Sequence, residues 1–92
     1  MTRPKLPRNI NFKAGVSYFK PQGVRLRFLK EVVLFPDEVQ ALKLYQVDSF
    51  NQKKSAKEMH ISQPTFARIL ASAQKKISQA IINGLAIRIE NS

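Results

Sequence analysis

The 92-residue sequence has no cysteine, no tryptophan and a single histidine. The absence of cysteine excludes disulfide bonds, thiolate metal sites and cysteine nucleophiles. His60 falls in a predicted turn with no carboxylate or nucleophile beside it in sequence, and the scattered acidic residues do not complete a set of metal ligands. We therefore predict that the protein is not an enzyme and holds neither a metal nor a cofactor.

Long apolar runs are also absent. The longest uncharged run, Ile77 to Ile87, is too short and too polar to span a bilayer. The basic N-terminus lacks the apolar centre of a signal peptide, and no helical pattern pairs a broad apolar face with a dense basic one. We expect a cytoplasmic protein with no membrane partner. The 43% of apolar residues is enough for one small domain with one hydrophobic core.

Acidic residues are few and unevenly placed. Sixteen lysines and arginines stand against six acids, so the net charge is +10. Residues 1–30 carry +8, residues 31–50 carry −3 and residues 51–92 carry +5. Positive charge in patches usually indicates a polyanionic partner, with nucleic acid first and an anionic membrane second.

The first thirty residues contain three prolines and two glycines, which excludes a long helix there. We predict an extended basic N-terminal segment over residues 1–30, with short extended pieces around Gly15. Arg3, Lys5 and Arg8 form either an arm that contacts the minor groove or phosphates of DNA, or a tail without a binding role.

Residues 31–92 are predicted to be mainly helical. One helix begins at Pro36, with Asp37 and Glu38 in its first turn, where negative charge suits the helix dipole. Asn51 is the predicted N-cap of a second helix. Ser62 is the predicted N-cap of a longer third helix that tolerates Pro64 in its first turn and ends at Asn83-Gly84.

The third helix has an apolar stripe that we predict to be buried. Its members are Phe66, Ile69, Leu70, Ala73, Ile77, Ala80 and Ile81. In the sequence "LAIRIE" after this helix, apolar and polar residues alternate as in a short strand. Such a strand could pair with the N-terminal segment or with a second subunit.

The second and third helices satisfy the spacing of a helix-turn-helix. Ala56 is the small residue required where the two helices cross, and Met59 and Ile61 flank a tight turn. Phe66 and Ile69 follow where the second helix of such a motif needs anchors. His60 stands where glycine is usual, because that position often has a positive φ, which histidine tolerates better than most residues.

The polar side of the third helix, opposite Phe66, predicts DNA contacts. In a major groove the first turns of such a helix meet base edges and later residues follow the backbone. Gln63 and Arg68 have the geometry to read adenine and guanine. The predicted base-reading residues are Gln63, Pro64, Ala67 and Arg68. The predicted phosphate contacts are Gln52, Lys53, Lys54, Thr65, Ser72, Lys75 and Lys76.

Lys53 and Lys54 support this interpretation independently. They stand in the first turn of the second helix, where cations oppose the helix dipole at roughly 0.3–1 kcal/mol each. A sequence selected only for stability would favour acids there, as at Asp37 and Glu38. We interpret the two lysines as a phosphate-binding feature.

The segments "GVSYFKP.G", "EVVL..DEVQALKL" and "INGLAIRIE", with the helices between them, resemble an uncharacterised bacterial and archaeal family of predicted DNA-binding proteins, domain of unknown function 134. Its helical part is similar to region 4 of sigma factors. The resemblance covers nearly the whole chain and implies a helix-turn-helix fold and DNA binding. The chain departs from the family pattern at His60, at Lys53-Lys54 and at Asn11, where relatives often carry cysteine.

Together these observations predict a mainly α protein. Residues 31–92 form a small helix-turn-helix domain similar to sigma region 4, with a short C-terminal strand, after the basic segment 1–30. The predicted function is sequence-specific binding of double-stranded DNA by a transcriptional regulator, with a homodimer as a further candidate assembly. The alternative is a sigma-like module that docks on RNA polymerase or another protein. A general RNA binder is a weaker alternative, because paired stacking aromatics are not evident.

Overall fold

The computed structural model describes residues 17–25 and 29–90. Strand β1 (Tyr18–Phe19) and strand β2 (Glu31–Leu34) precede helix α1 (Pro36–Leu42), which continues as a π-helical turn (Lys43–Val47). Helices α2 (Gln52–Glu58) and α3 (Gln63–Asn83) follow, and strand β3 (Ala86–Ile89) comes last. The predicted arm residues Arg3, Lys5 and Arg8, and Asn11, lie outside the described residues.

A three-stranded sheet joins the first and last elements of the described part of the chain. Its order is β1-β3-β2, so the C-terminal strand lies in the middle, antiparallel to β1 and parallel to β2. The predicted C-terminal strand is therefore confirmed, and it pairs with part of the N-terminal segment. Strand β2, in which Val32 pairs with Ile87, was not predicted from the sequence. Its four residues precede Pro36 and are too few to show an alternating pattern of apolar and polar side chains.

Local side-chain signals set the helix starts. The side chain of Asn51 accepts a hydrogen bond from the backbone N–H of Lys54 at 2.8 Å, and the hydroxyl of Ser62 accepts one from the N–H of Thr65 at 3.2 Å. Both predicted N-caps are confirmed. Helix α3 ends at Asn83 because Gly84 adopts φ 67°, as glycine readily does.

The turn between α2 and α3 is a Schellman motif. The N–H of Ile61 donates to the carbonyl of Ala56 and the N–H of His60 donates to that of Lys57, both at 3.1 Å. His60 adopts φ 59°, as expected from its place in the turn. These bonds satisfy the carbonyls of Ala56 and Lys57 near the end of α2. Only four residues separate the end of α2 from the start of α3.

The hydrophobic core lies where α1, its π-helical turn, α2 and α3 meet. Phe66 and Met59 are fully buried there, and the ring of Tyr45 lies 6.4 Å from that of Phe66. The remaining buried members of this core are Ala41, Leu44, Ala56, Ile69 and Leu70. Ala56 and Met59 thus occupy the buried positions that the spacing predicted.

The predicted apolar stripe of α3 is wrong at its far end. Ile77 is half-buried and Ile81 is 71% exposed. Ala73 and Ala80 are the buried residues in this half of the helix, whereas the larger side chain of Ile81 lies outside the core. None of the helices in the described residues has the length and apolar character needed to cross a membrane.

Candidate nucleic-acid interface

The start of α3 presents a polar surface on the side away from the core. Gln63, Pro64 and Arg68 are exposed, whereas Phe66 between them is fully buried. Arg68 forms no hydrogen bond or ion pair with the described part of the chain. Its guanidinium is therefore available to a partner, as the predicted base-reading role requires. Ala67, the fourth predicted base-reading residue, is half-buried.

The side chains that cap α3 are partly engaged with one another. The Ser62 hydroxyl donates to the Thr65 hydroxyl oxygen at 2.8 Å while accepting from the Thr65 N–H. The Thr65 hydroxyl keeps its own hydrogen, because a hydroxyl has one donor and two acceptor positions. Thr65, which is half-buried, can therefore still donate to a phosphate oxygen.

Helix α2 adds exposed cations beside the start of α3, with which it is in contact. Lys53 and Lys54 are exposed, and the ammonium of Lys54 lies 4.1 Å from the centre of the Phe50 ring. Gln52 is half-buried. The helix has only seven residues, so the charge at its start comes from the lysine side chains rather than from a long helix dipole.

Lys57 is a further exposed lysine of α2 that is not among the phosphate contacts predicted from the sequence. It is exposed in the last turn of α2, four residues after Lys53 and three after Lys54. That spacing places all three lysines on one side of the helix, and this signal was available in the sequence. We call Lys53, Lys54, Lys57, Arg68 and Lys75, all exposed, the basic face.

Two predicted phosphate contacts have a different role. The ammonium of Lys76 donates to Glu38 Oε1 at 2.8 Å and to the Val33 carbonyl at 2.7 Å. The Ser72 hydroxyl donates to Glu38 Oε2 at 2.6 Å. Ser72 and Lys76 thus tie α3 to α1 and β2, so both side chains already have partners within the protein, and their contact with phosphates stays a prediction. Lys75 is exposed and forms no hydrogen bond or ion pair with the described part of the chain, so it stays in the set of phosphate contacts.

Glu38 is the centre of that network. It is 5% exposed, and its Oε1 also accepts the backbone N–H of Phe35 at 2.9 Å. The Lys76 ammonium lies 4.6 Å from the centre of the Phe35 ring. Only the favourable position of Glu38 in the first turn of α1 is evident from the sequence. Its partners on α3 are 34 and 38 residues away, so no local pattern revealed them.

A second group of charged side chains lies on the sheet. Arg88 donates to Glu31 Oε1 at 2.8 Å and to Glu90 Oε1 at 2.6 Å, while the Tyr18 hydroxyl donates to Glu31 Oε2 at 3.1 Å. The hydrogen bond from Arg88 lowers the pKa of Glu31. Partial burial and the hydrogen bond to Glu31 raise the pKa of Tyr18, and the bond to Glu31 raises that of Arg88. These pairs satisfy one another and leave little charge for a ligand.

Within residues 17–25 and 29–90, no three histidine, aspartate or glutamate side chains are grouped as metal ligands.

The fold and the basic face define a small, mainly helical protein in which a basic α2–α3 unit is fastened to a three-stranded sheet.

The chain belongs to the family described as protein of unknown function DUF134, which it matches over residues 1–92. It is 47% identical to a UPF0251 protein of Moorella thermoacetica and 42% identical to one of Caldanaerobacter subterraneus subsp. tengcongensis, each over 98% of this chain. A UPF0251 protein of Halothermothrix orenii is 40% identical, also over 98% of this chain. The chain spans 60%, 76% and 67% of these relatives, respectively. No solved structure matches the chain significantly.

Proposed function

We propose that the protein binds double-stranded DNA through α2, the Met59–Ser62 turn and α3, which act as a helix-turn-helix similar to sigma factor region 4. The observation that carries this proposal is the exposed start of α3. Gln63, Pro64 and Arg68 face solvent while Phe66 fastens the same turns to the core. A helix held in this way can enter a major groove without unfolding any part of its support.

The basic face supplies the sequence-independent part of binding. Lys53, Lys54 and Lys57 come from α2, and Lys75 lies two turns beyond Arg68 on α3. Their positions on both sides of the reading turns suit contacts with phosphates that flank the groove. Arg68 would donate two hydrogen bonds to guanine, and Gln63 would pair with adenine.

Sequence-specific recognition of this kind fits a transcriptional regulator associated with the nucleoid, with a binding rather than a catalytic role. A sigma-like docking module for RNA polymerase is the second candidate. The same Glu38–Lys76 network would hold α3 rigid in either case. The two functions differ in what the basic face contacts.

A random duplex library titrated at several salt concentrations tests the proposal. We expect an enriched sequence motif and a log–log salt slope steeper than about −3, from the four lysines of the basic face at ~0.9 each. A flat slope with no enriched motif would contradict DNA binding and favour the docking module.

A matched pair of variants makes the test specific to the basic face. Lys53→Ala should reduce affinity and make the salt slope less steep by about 1. Lys30→Ala removes an exposed lysine next to the sheet and should change affinity much less. Equal losses in the two variants would mean that net charge, rather than the basic face, determines binding.

A further inference from the structure

An apolar surface lies at the end of the molecule opposite the start of α3. Five large apolar side chains are exposed among the described residues, and three of them are Phe19 at 51%, Ile81 at 71% and Ile82 at 80%. Phe19 and Ile81 line a groove of about 270 Å³ together with Pro21, Leu85 and Ile87. We call Phe19, Ile81, Ile82 and this groove the apolar end. Exposed apolar groups collected in one place usually mark a binding surface.

The apolar end is almost free of charge, which is unusual in a chain with a net charge of +10. Residues 77–87 contain no ionisable side chain, and Lys20 is the one charged residue lining the groove within the described part of the chain. Elsewhere two copies of the protein would repel each other. A surface with so few cations is where two such copies can approach at the lowest electrostatic cost.

The charge pattern also argues against two other partners. DNA needs cations, and within the described residues Lys20 is the one cation that lines the groove of the apolar end. An acidic protein would be attracted to the basic face instead. A second copy of the protein needs neither cations nor acidic groups at this surface, because a two-fold axis brings identical apolar groups together.

We propose that the apolar end is a homodimer interface in which Ile81 and Ile82 of one copy pack against the same surface of the other. Ile82 lies about 160° around α3 from Phe66, so it projects away from the core of its own subunit. The groove beside Phe19 and Ile81 offers a recess for the isoleucines of the second copy. The interface buries side chains that the isolated chain leaves in water.

The position of this interface has a consequence that rests on the proposed DNA binding. Arg68 and Ile82 are fourteen residues apart on one helix, about 21 Å. With a two-fold axis near Ile82, the two Arg68 side chains can be about 34 Å apart, the distance between major-groove half-sites one helical turn apart. An inverted repeat would then be the preferred site.

Sedimentation equilibrium without DNA tests the interface separately from DNA binding. We expect the weight-average mass to rise from 10.5 kDa towards twice that value over micromolar to millimolar protein. Ile81→Glu and Ile82→Glu should each return it to the monomer. Val47→Glu is the matched control, because Val47 is 75% exposed on another element, and it should leave association unchanged.

Salt gives a second readout that distinguishes this interface from one held by ion pairs. Raising the salt concentration screens the repulsion between two positive subunits, so association through the apolar end should strengthen. A wild-type chain that stays monomeric to millimolar concentration would overturn the proposal. So would a dimer that survives Ile81→Glu and Ile82→Glu, or one that weakens as salt is added.

Discussion

In the proposed DNA binding, single residues of the basic face divide into those that read sequence and those that position the protein on DNA. Arg68 is exposed in the second turn of α3, whereas Lys53 lies on α2. We expect Arg68→Ala to relax preference at one base pair and to weaken specific binding by ~1–3 kcal/mol. Lys53→Ala should weaken all sequences alike. Competition assays with single-base variants of the selected site measure both effects, and identical profiles would contradict the division.

His60 holds a conformation that suits glycine better than histidine. At φ 59° a side chain costs roughly 1–2 kcal/mol, while glycine loses about 0.5–1 kcal/mol through its larger freedom in the unfolded chain. We therefore expect His60→Gly to raise the free energy of unfolding by about 0.5 kcal/mol. His60→Val should lower it by at least ~1 kcal/mol, because a branched side chain fits this region poorly. Urea denaturation measures both changes. A loss of stability in His60→Gly would show that the imidazole itself makes a needed contact.

Features that depend on a few neighbouring residues were predictable from the sequence. The caps at Asn51 and Ser62, the helix end at Gly84 and the positive φ of His60 each follow from chain chemistry within four or five residues. The Glu38 network was not predictable, because its donors come from parts of the chain that only the folded protein brings together. A lysine such as Lys76 looks the same in sequence whether it faces phosphate or a buried carboxylate.

At the scale of elements, the Glu38–Lys76 pair connects α1, α3 and β2. Removing one partner leaves the other charge buried and uncompensated, which is strongly destabilising. We expect Glu38→Ala to lower the free energy of unfolding by about 3 kcal/mol. Glu58→Ala, an exposed acid on α2, should change it by less than about 0.5 kcal/mol.

A double-mutant cycle tests whether the effect comes from the pair. Once Glu38 has been replaced by alanine, Lys76→Met should cost much less than it does in the wild-type protein. Additive losses would indicate that Glu38 and Lys76 stabilise the fold independently.

The sheet has its own dependence on pH through Glu31. Its hydrogen bond from Arg88 lowers its pKa below the usual 4.5, so the folded state favours the ionised form. This stabilisation is fully present above the unfolded pKa and is lost as the pH falls through the lower folded pKa. We expect Glu31→Gln to flatten the fall in melting temperature below about pH 4.5. If the melting temperature of Glu31→Gln fell with decreasing pH as steeply as that of the wild-type protein, a contribution of Glu31 to stability would be excluded.

Strand β2 shows why the sheet was harder to predict than the helices. "EVVL" is short, and two of its residues are half-buried. Neither an alternating apolar pattern nor the length of the segment therefore distinguishes a strand here from the beginning of α1. Its partner β3 follows α3, and a parallel pair requires the intervening helices to cross over between the strands. Sequence alone therefore predicted the helices and the last strand, but not the sheet that orients α3.

The whole molecule is governed by its excess of positive charge. The described residues span 41 × 31 × 20 Å, and charges interact over about 30 Å at 0.01 M salt but only about 10 Å at 0.1 M. At the lower concentration, repulsion therefore acts across most of the protein. The exposed pairs of the sheet offset little of it, because such pairs contribute weakly.

We therefore expect the melting temperature to rise as NaCl increases from 0.01 to 0.1 M. The measurement is made on Ile82→Glu, so that salt-dependent dimerisation does not contribute to the rise. Adding Lys53→Gln and Lys57→Gln removes two cations from the basic face and should reduce the increase, because less repulsion remains to be screened. A melting temperature that falls with added salt would mean that attractive pairs outweigh repulsion. The positive charge of the basic face would then carry no cost in stability, and it would not indicate a surface maintained for a polyanionic partner at the expense of stability.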